Sequence, residues 1–318
     1  MTATRVRSRQ RQIEISDGRH ALPYSKGLMA SSIMVTGAPP ERAFAVAELI
    51  EQRLHEGLTS RVTRAELSDL AVELLEQELG FPFAVSYKRW RVVNELDRPL
   101  VIVVGGATGV GKSTLATQLA ARLGITRVIP TDAIREIMRS MFTEEFMPTL
   151  HTPSFDAERL VRHPLPKSAD PVIIGFREQC MAVGVAVQAL IRRAVVEGTD
   201  LILEGAHLVP GSIQPGDFPE AAVVHFMVTA DDEELHRAHF RMRARESRGR
   251  PADRYFEFFD NIRDIQRYLK LLAHEHEVPV IPSYDLDATL AAIIELVAAE
   301  AMRDVTKSDK AITKRKQR

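Results

Sequence analysis

Residues 100–114 read Leu100-Val101-Ile102-Val103-Val104-Gly105-Gly106-Ala107-Thr108-Gly109-Val110-Gly111-Lys112-Ser113-Thr114. Their pattern is the strongest indication of the fold class. The first five residues are apolar and four of them are β-branched, which predicts a strand buried on both faces. The eight residues from Gly106 to Ser113 match the phosphate-binding pattern Gly-x4-Gly-Lys-Ser. An amphipathic helical pattern follows directly. A buried strand, a glycine-rich turn and a helix in this order predict a P-loop.

The P-loop predicts a nucleotide site at residues 106–114. Its glycines allow backbone amides to converge on the β- and γ-phosphates, and the N-terminus of the helix adds positive charge. Lys112 supplies a further cation, and the Ser113 hydroxyl is a ligand for Mg²⁺. The sequence lacks the Asn-Lys-x-Asp pattern of guanine recognition. We therefore expect ATP and Mg²⁺ as cofactors.

The alternation of strand and helix patterns continues beyond the P-loop. It predicts an α/β domain of the P-loop kinase type, with a parallel sheet flanked by helices, over residues 98–303. The segment 143–175 is long, proline-bearing and weakly periodic, which favours a functional loop. The further strand patterns lie at residues 127–129, 201–203, 223–228 and 278–281.

The residues before the P-loop domain form a module of their own. Helical periodicity dominates residues 13–95, and Thr63 and Glu66 have the spacing of a capping box, so we predict a small, mainly helical domain. Residues 1–12 are predicted to be a flexible N-terminus. Residues 304–318 are rich in lysine and arginine and poor in apolar residues, which predicts a basic, disordered tail.

Composition and charge narrow the class of protein. The 318 residues are 45% hydrophobic and 27% charged, as in soluble globular proteins. The net charge of −1 gives no general attraction to nucleic acid or to an anionic membrane. The single cysteine, Cys180, excludes an intramolecular disulfide and fits a reducing compartment. We therefore expect a cytoplasmic protein without a nucleic-acid or membrane partner.

The residues that follow the second and third predicted strands favour a small-molecule kinase. Asp132 lies at the start of a helix pattern and Arg135 follows one turn later, so the pair can orient an acceptor hydroxyl and bind the anion of the acceptor. The alternative is that Thr131 or Asp132 only caps the helix. Glu204 ends the third strand and His207 follows. We predict that Glu204 supports Mg²⁺ or, with His207, positions the acceptor.

An arginine-rich segment follows the fourth strand pattern, where nucleoside-monophosphate-kinase-like enzymes carry a closing lid. γ-Phosphoryl transfer spreads negative charge, which arginines delivered by closure would stabilise. We predict that Arg241, Arg245 and Arg248 are catalytic, together with Lys112 and Asp132. A solvated basic helix face or an RNA-contacting patch is the alternative. The seven arginines of the segment are Arg237, Arg241, Arg243, Arg245, Arg248, Arg250 and Arg254.

The histidines other than His207 are scattered and lack the spacing of a zinc site. We expect them to have structural or solvent-facing roles. They include His151, His163, His225, His236, His239, His274 and His276.

Several segments together resemble the 2-phosphoglycerate kinase family. The resemblance implies transfer of the γ-phosphoryl group of ATP to 2-phosphoglycerate, a small phosphorylated acid, with 2,3-bisphosphoglycerate as the product. The segments that carry it are 103–114, 131–135, 202–210, 240–250 and 262–266.

The N-terminal module resembles an ATP-cone, a small nucleotide-binding regulatory domain. This resemblance implies a regulatory nucleotide whose phosphates contact Arg19 and Lys26. A helical domain kept for packing or for forming a homo-oligomer is the alternative. The resemblance is carried by residues 17–19, 22–28, 31–33 and 87–91.

Two other functions are compatible with the same residues. The first is a P-loop kinase that acts on another small hydroxylated or phosphorylated acceptor. The second is a regulatory protein that senses ATP without phosphotransfer. Release of ADP stimulated by an acceptor separates the kinases from the sensor, and the choice of acceptor separates the two kinases.

Overall fold

The computed structural model describes residues 12–16, 21–57, 60–94, 96–246 and 252–316. The chain divides into two compact units, Met1–Asn94 and Glu95–Arg318. The division falls at the polar segment that precedes the P-loop strand. Parts of the two predicted tails, residues 1–11 and 317–318, lie outside the described residues.

In its described residues, the first unit has four helices and a small sheet. The sheet has the order β2-β1-β3, with β1 antiparallel to β2 and parallel to β3. The predicted helices are present, whereas β2 and β3 have only three residues each and gave no periodic pattern. The elements are β1 (Glu14–Ser16), β2 (Ala21–Pro23), α1 (Lys26–Met34), α2 (Pro40–Glu56), β3 (Arg61–Thr63), α3 (Arg64–Glu78) and α4 (Phe81–Asn94).

Local chemistry and burial explain this first unit. The predicted capping box is present, since the Glu66 amide donates to Thr63 Oγ1 at 3.2 Å and the Thr63 amide donates to Glu66 Oε2 at 2.8 Å. The apolar faces of the helices meet in one core, in which Ile33, Ile50 and Leu75 are fully buried. Lys26 forms ion pairs with two carboxylates of α2 at 3.3 and 3.2 Å. Its charge is therefore compensated within the unit.

The second unit has the predicted P-loop kinase architecture. All five strands are parallel and follow the order β5-β6-β4-β7-β8, so the P-loop strand β4 lies at the centre. The strands β4, β6 and β7 are buried at every position. The strands are β4 (Leu100–Gly105), β5 (Val128–Pro130), β6 (Leu201–Gly205), β7 (Ala222–Thr229) and β8 (Val280–Pro282).

Seven helices accompany this sheet in the described part of the second unit. The helical stretch after the arginine-rich segment is interrupted at Phe258 and therefore forms two helices. The helices are α5 (Lys112–Leu123), α6 (Thr131–Met141), α7 (Pro171–Glu197), α8 (Glu233–Glu246), α9 (Ala252–Glu257), α10 (Phe259–Glu275) and α11 (Leu286–Lys316).

Two expectations about irregular segments need correction. The predicted loop at 143–175 contains two 3-10 helices, Pro148–His151 and Ser154–Leu160, both packed on α7. Its weak periodicity reflects these short turns. The backbone of α11 is helical to Lys316, so residues 304–316 of the predicted disordered tail are helical. Alanine, lysine and arginine have high helix propensity and extend the preceding apolar helix.

The long helix α7 is a core element of this unit. By length and composition it would suffice to cross a membrane. Its inner face, however, is buried in the domain and includes Phe176, Val183 and Ile191. Asp170 caps it by accepting from the Val172 amide at 2.9 Å. The same buried face also carries a polar side chain, Gln179.

Candidate active site

The P-loop follows β4 as predicted, and helix α8 contacts it. Gly109 has a φ of 87°, and a Cβ atom there would lie 2.3 Å from the Phe240 ring. Glycine therefore permits both the left-handed turn and the close approach of α8. Phe240 is itself stacked on Tyr255 with 4.7 Å between the ring centres.

Two histidines of α8 hold the P-loop backbone. His236 Nε2 donates to the Thr108 carbonyl at 2.8 Å, and His239 Nδ1 donates to the Gly109 carbonyl at 2.9 Å. A carbonyl only accepts, so both nitrogens carry protons. Burial lowers the pKa of His236 to about 4. Neither histidine was predicted to contact the P-loop; the available signal was their spacing of three residues on the helix after β7.

Lys112 and Ser113 have well-defined partners at the start of α5. Lys112 is 8% exposed, and its Nζ donates to the Ala107 carbonyl at 2.7 Å. Ser113 Oγ donates to Glu204 Oε1 at 2.9 Å. Glu204 is 6% exposed and is paired in register with Val104 of β4, so the two neighbouring strands bring these groups together. The structure thus joins the two predicted metal-binding residues.

This pair is suited to a magnesium ion. Hydroxyl and carboxylate oxygens are the hard ligands that Mg²⁺ prefers, and P-loop proteins complete the coordination with phosphate oxygens and water. Within the described ranges, no group of three or more His, Cys, Asp or Glu side chains could hold a metal ion on its own. The donor set therefore fits a metal that binds together with nucleotide.

His207 links the end of β6 to α6 and α7. Its Nε2 lies 2.9 Å from Gln179 Oε1, and its Nδ1 lies 2.7 Å from Thr131 Oγ1. The Gln179 amide nitrogen donates to the carbonyls of Thr149 and Thr152, so Gln179 Oε1 must accept from His207 Nε2. Burial lowers the pKa of His207 to about 4. Nδ1 of the neutral ring then accepts a hydrogen bond from the Thr131 hydroxyl.

Gly205 makes this arrangement sterically feasible. Its φ is 155°, and a Cβ atom at this position would lie 1.7 Å from Thr131 Oγ1. Any larger residue would push Thr131 away from His207. The spacing Glu-Gly-x-His therefore places a carboxylate at the P-loop, leaves room for Thr131 and directs an imidazole to it.

The start of α6 places Asp132 and Arg135 differently. The side chain of Asp132 is 69% exposed, whereas that of Arg135 is 12% exposed, with Nε 3.9 Å from Asp132 Oδ1. Arg135 donates to the Leu150 carbonyl at 2.8 Å and forms an ion pair with Glu136 at 2.7 Å. Its guanidinium therefore holds the 3-10 helix Pro148–His151, which we call the 3-10 segment, and also adds positive charge.

The capping alternative for this helix is wrong. The N-cap of α6 is Pro130, and within the described residues no side chain caps that end. The Thr131 hydroxyl is instead bonded to His207. The charges of Asp132, Arg135 and Lys112 all influence the pKa of that histidine, although burial dominates it. Charged groups from the start of α6 and from the P-loop thus influence one imidazole.

Two described arginines of the arginine-rich segment contact aromatic rings. The Arg237 guanidinium lies 3.7 Å from the centre of the Phe259 ring, and that of Arg241 lies 5.8 Å from the Phe256 ring. Such contacts stabilise a cation over a ring face. The side chains of Arg243 and Arg245, and all of Arg248 and Arg250, lie outside the described residues, as does Arg19 of the first unit.

The last arginine of the arginine-rich segment has a buried partner. Arg254 forms an ion pair with Asp156 at 3.3 Å, and Asp156 also binds Arg159 at 3.1 Å. This contact ties the end of the arginine-rich segment to the 3-10 helix Ser154–Leu160.

An open cavity of about 660 Å³ extends from the P-loop. Its lining combines P-loop residues with apolar and aromatic residues of α8 and of the segment after β8. This combination suits a nucleotide, whose phosphates and base differ in polarity. The lining residues include Gly109, Lys112, Ser113, Leu235, His239, Met242, Ser283, Tyr284 and Leu286.

Comparison with known proteins gives closely related full-length chains. No family model matches the chain. A 2-phosphoglycerate kinase from Pyrococcus furiosus is 41% identical over 279 residues, which cover 88% of this chain and 90% of that protein. Among solved structures, a shikimate kinase from Acinetobacter baumannii is 19% identical, with a TM-score of 0.38 over 66% of this chain and 97% of that one. That similarity is too low to support a functional comparison.

Two further relatives bear the same name. A 2-phosphoglycerate kinase from Methanothermobacter thermautotrophicus is 38% identical over 285 residues, covering 89% of this chain and 93% of that protein. One from Methanopyrus kandleri is 34% identical over 311 residues, covering 98% and 94%. The alignment over 98% of this chain extends over both units. The chain therefore belongs to the 2-phosphoglycerate kinase family.

Proposed function

We propose that the chain transfers the γ-phosphoryl group of ATP to 2-phosphoglycerate, giving 2,3-bisphosphoglycerate and ADP. The observation that carries the proposal is that the end of β6 joins the P-loop to the start of α6. Ser113 is bonded to Glu204, and the same strand end continues to His207, which is bonded to Thr131 at the start of α6. Relatives named for this reaction align over most of the chain, which supports the same acceptor.

At the phosphate end, the backbone amides of the P-loop and Lys112 bind the β- and γ-phosphates. Lys112 exchanges its bond with the Ala107 carbonyl for phosphate oxygens when nucleotide binds. Ser113 and Glu204 would hold Mg²⁺. When bound, the metal neutralises the charge that develops on the transferred group.

At the acceptor end, Asp132 is an exposed carboxylate in the first turn of α6, directly after β5. It accepts the proton of the acceptor hydroxyl while that oxygen forms a bond with the γ-phosphorus. The bond from the γ-phosphorus to the oxygen that bridges it to the β-phosphorus breaks, and ADP leaves with that oxygen. Arg135 adds positive charge next to Asp132, which favours an acceptor that already carries a phosphate.

The lid arginines complete the charge balance. Arg241, Arg245 and Arg248 are proposed to approach the transferred phosphoryl group, with Arg241 leaving the face of Phe256 on closure. Closure also excludes water, which would otherwise accept the phosphoryl group.

A comparison of two conservative variants tests the acceptor role. Asp132→Asn keeps the shape and removes the base, so we expect a fall in kcat of about 10²–10⁴-fold with unchanged ATP affinity. Asp260→Asn is the matched control, since Asp260 is also exposed in the first turn of a helix, α10. The assay measures ADP release with 2-phosphoglycerate, 3-phosphoglycerate and glycerate.

The outcomes discriminate between the proposals. Full activity of Asp132→Asn would refute its role as base. A strong preference for another acceptor would keep the kinase and replace 2-phosphoglycerate. ADP release that no acceptor stimulates would favour the ATP sensor.

A further inference from the structure

The side chain of Gln179 is the least expected polar group of the second unit. It is fully buried in the middle of the apolar helix α7. Its amide nitrogen donates to the Thr149 carbonyl and, at 2.9 Å, to the Thr152 carbonyl, while its Oε1 accepts from His207 Nε2 at 2.9 Å. Both donor hydrogens and the oxygen are therefore in use.

These three bonds form a directed chain. Both carbonyls can only accept, so the amide has one orientation and His207 must donate from Nε2. Nδ1 of the neutral ring then accepts from the Thr131 hydroxyl, which lies 2.7 Å away. Gln179 thereby determines that Nδ1 faces Thr131 and that the proton of the neutral ring lies on Nε2.

The chain ends at the acceptor side of the site. Thr131 is the first residue of α6 and directly precedes Asp132. Arg135, one turn later, donates to the Thr152 carbonyl at 3.4 Å, the same carbonyl that Gln179 binds. The 3-10 helix Pro148–His151 and the residue after it are thus bound both by Arg135 of α6 and by Gln179 of α7.

A structural role alone does not need this chemistry. An apolar residue would fill the same volume on α7 without the free-energy penalty of burying an amide, as Phe176 and Val183 do on the same face. A buried polar network in which every group is satisfied specifies one geometry, and loss of one member affects the others. The groups specified here include Thr131, which directly precedes Asp132.

We propose that Gln179 is a positioning residue for the acceptor: through His207 it fixes Thr131 and the start of α6, and through its amide nitrogen it fixes the 3-10 segment opposite. This inference rests on the proposed function, because the acceptor is taken to bind at Asp132. It predicts that Gln179 affects acceptor use and leaves nucleotide binding unchanged.

Three substitutions on α7 test the proposal. Gln179→Met removes all three hydrogen bonds at similar volume. Gln179→Glu keeps an acceptor for His207 Nε2 but loses both donors while it is ionised. Gln188→Met is the matched control, the same exchange at a half-buried position of the same helix. Each variant is analysed for the Kd of a non-hydrolysable ATP analogue, for kcat and KM with 2-phosphoglycerate, and for Tm.

For Gln179→Met we expect kcat/KM for the acceptor to fall about 10- to 100-fold, the effect of one or two lost buried hydrogen bonds. The Kd of the ATP analogue should stay within a factor of two, and Gln188→Met should behave as wild type. Gln179→Glu should regain part of its kcat/KM, relative to wild type at the same pH, as the pH falls. The protonated acid donates again. Gln179→Met should show no such recovery.

Other results would overturn the proposal. One is wild-type kcat/KM in Gln179→Met; another is an equal loss of nucleotide and acceptor binding, which indicates a general packing defect. If Gln179→Met does not fold, Thr131→Val cuts the same chain at its other end, with Thr131→Ser as the conservative rescue. Wild-type acceptor use in Thr131→Val would also refute the inference. Failure of the proposed function would be visible in the wild-type chain, as ADP release that 2-phosphoglycerate does not stimulate, and would overturn both.

Discussion

Substitution of Gly205 by alanine is the sharpest steric test of the site. The added Cβ would lie 1.7 Å from Thr131 Oγ1, where van der Waals contact needs about 3.4 Å or more, and both residues are buried. The φ of 155° is in addition a conformation that alanine rarely adopts. Thr131 must move, and its bond with His207 is lost.

The magnitude follows from these two effects. Backbone strain of this kind costs about 1–3 kcal/mol. Leaving a buried hydrogen-bonding partner unsatisfied costs about another 1–3 kcal/mol. We therefore expect the free energy of unfolding of the second unit to fall by about 2–6 kcal/mol. Each kcal/mol corresponds to about 2–4 °C in Tm for a unit of this size.

Urea and thermal unfolding, together with kcat/KM for 2-phosphoglycerate, measure the effect. Gly184→Ala on α7 is the matched control, because a Cβ atom at Gly184 meets no atom within 4 Å. It should be neutral or stabilising by about 0.5–1 kcal/mol, since alanine favours the helix interior. A Gly205→Ala protein with wild-type Tm and wild-type kcat/KM would refute the steric account of the Glu-Gly-x-His segment.

Three further predictions concern the metal, pH and nucleotide stoichiometry. Glu204→Gln should lower kcat and raise the Mg²⁺ concentration needed for half-maximal activity by at least about tenfold, as a metal titration measures; an unchanged requirement would contradict the role of Glu204. His207 and His236 have their pKa lowered to about 4 when folded, so the unfolded chain binds more protons between about pH 6.5 and 4. The free energy of unfolding should therefore fall as the pH drops through this window, by up to about 1.4 kcal/mol per pH unit for each histidine. When urea unfolding is measured at several pH values, the free energy of unfolding of His236→Gln should depend less steeply on pH than that of wild type. Because Lys26 is paired with Glu48 and Glu51, calorimetry should find one nucleotide per chain, lost in Lys112→Ala; two sites would indicate nucleotide binding by the first unit.

The parts of the fold that were predictable from the sequence have strong local patterns. The continuous apolar run of β4 and the glycines after it specify the strand and the P-loop, and α5 follows from its apolar spacing. Glu204 was predictable as the partner of Ser113, because the carboxyl ends of neighbouring parallel strands meet at one edge of a sheet. The capping box of α3 was also predictable, because its two residues, Thr63 and Glu66, are only three positions apart in the sequence.

The rest of the site depends on contacts between residues distant in sequence. Gln179 is 28 residues from His207, and His236 is 128 residues from Thr108, so no local pattern announces either contact. The 3-10 turns at 148–160 are stabilised by packing on α7 and by Arg135 rather than by periodicity. The only sequence signal for the role of Gln179 was a polar residue within an apolar helix pattern. This signal is weak, because many such residues face solvent.

Identification of the product is the most direct test of phosphoryl transfer to 2-phosphoglycerate. The purified chain is incubated with Mg²⁺, ATP and 2-phosphoglycerate, and the products are analysed by mass spectrometry and by ³¹P NMR, with Lys112→Ala as the control. We predict 2,3-bisphosphoglycerate in amounts equal to the ADP formed, and none from Lys112→Ala. Release of ADP with inorganic phosphate and without a second phosphate on the three-carbon acid would contradict the claim.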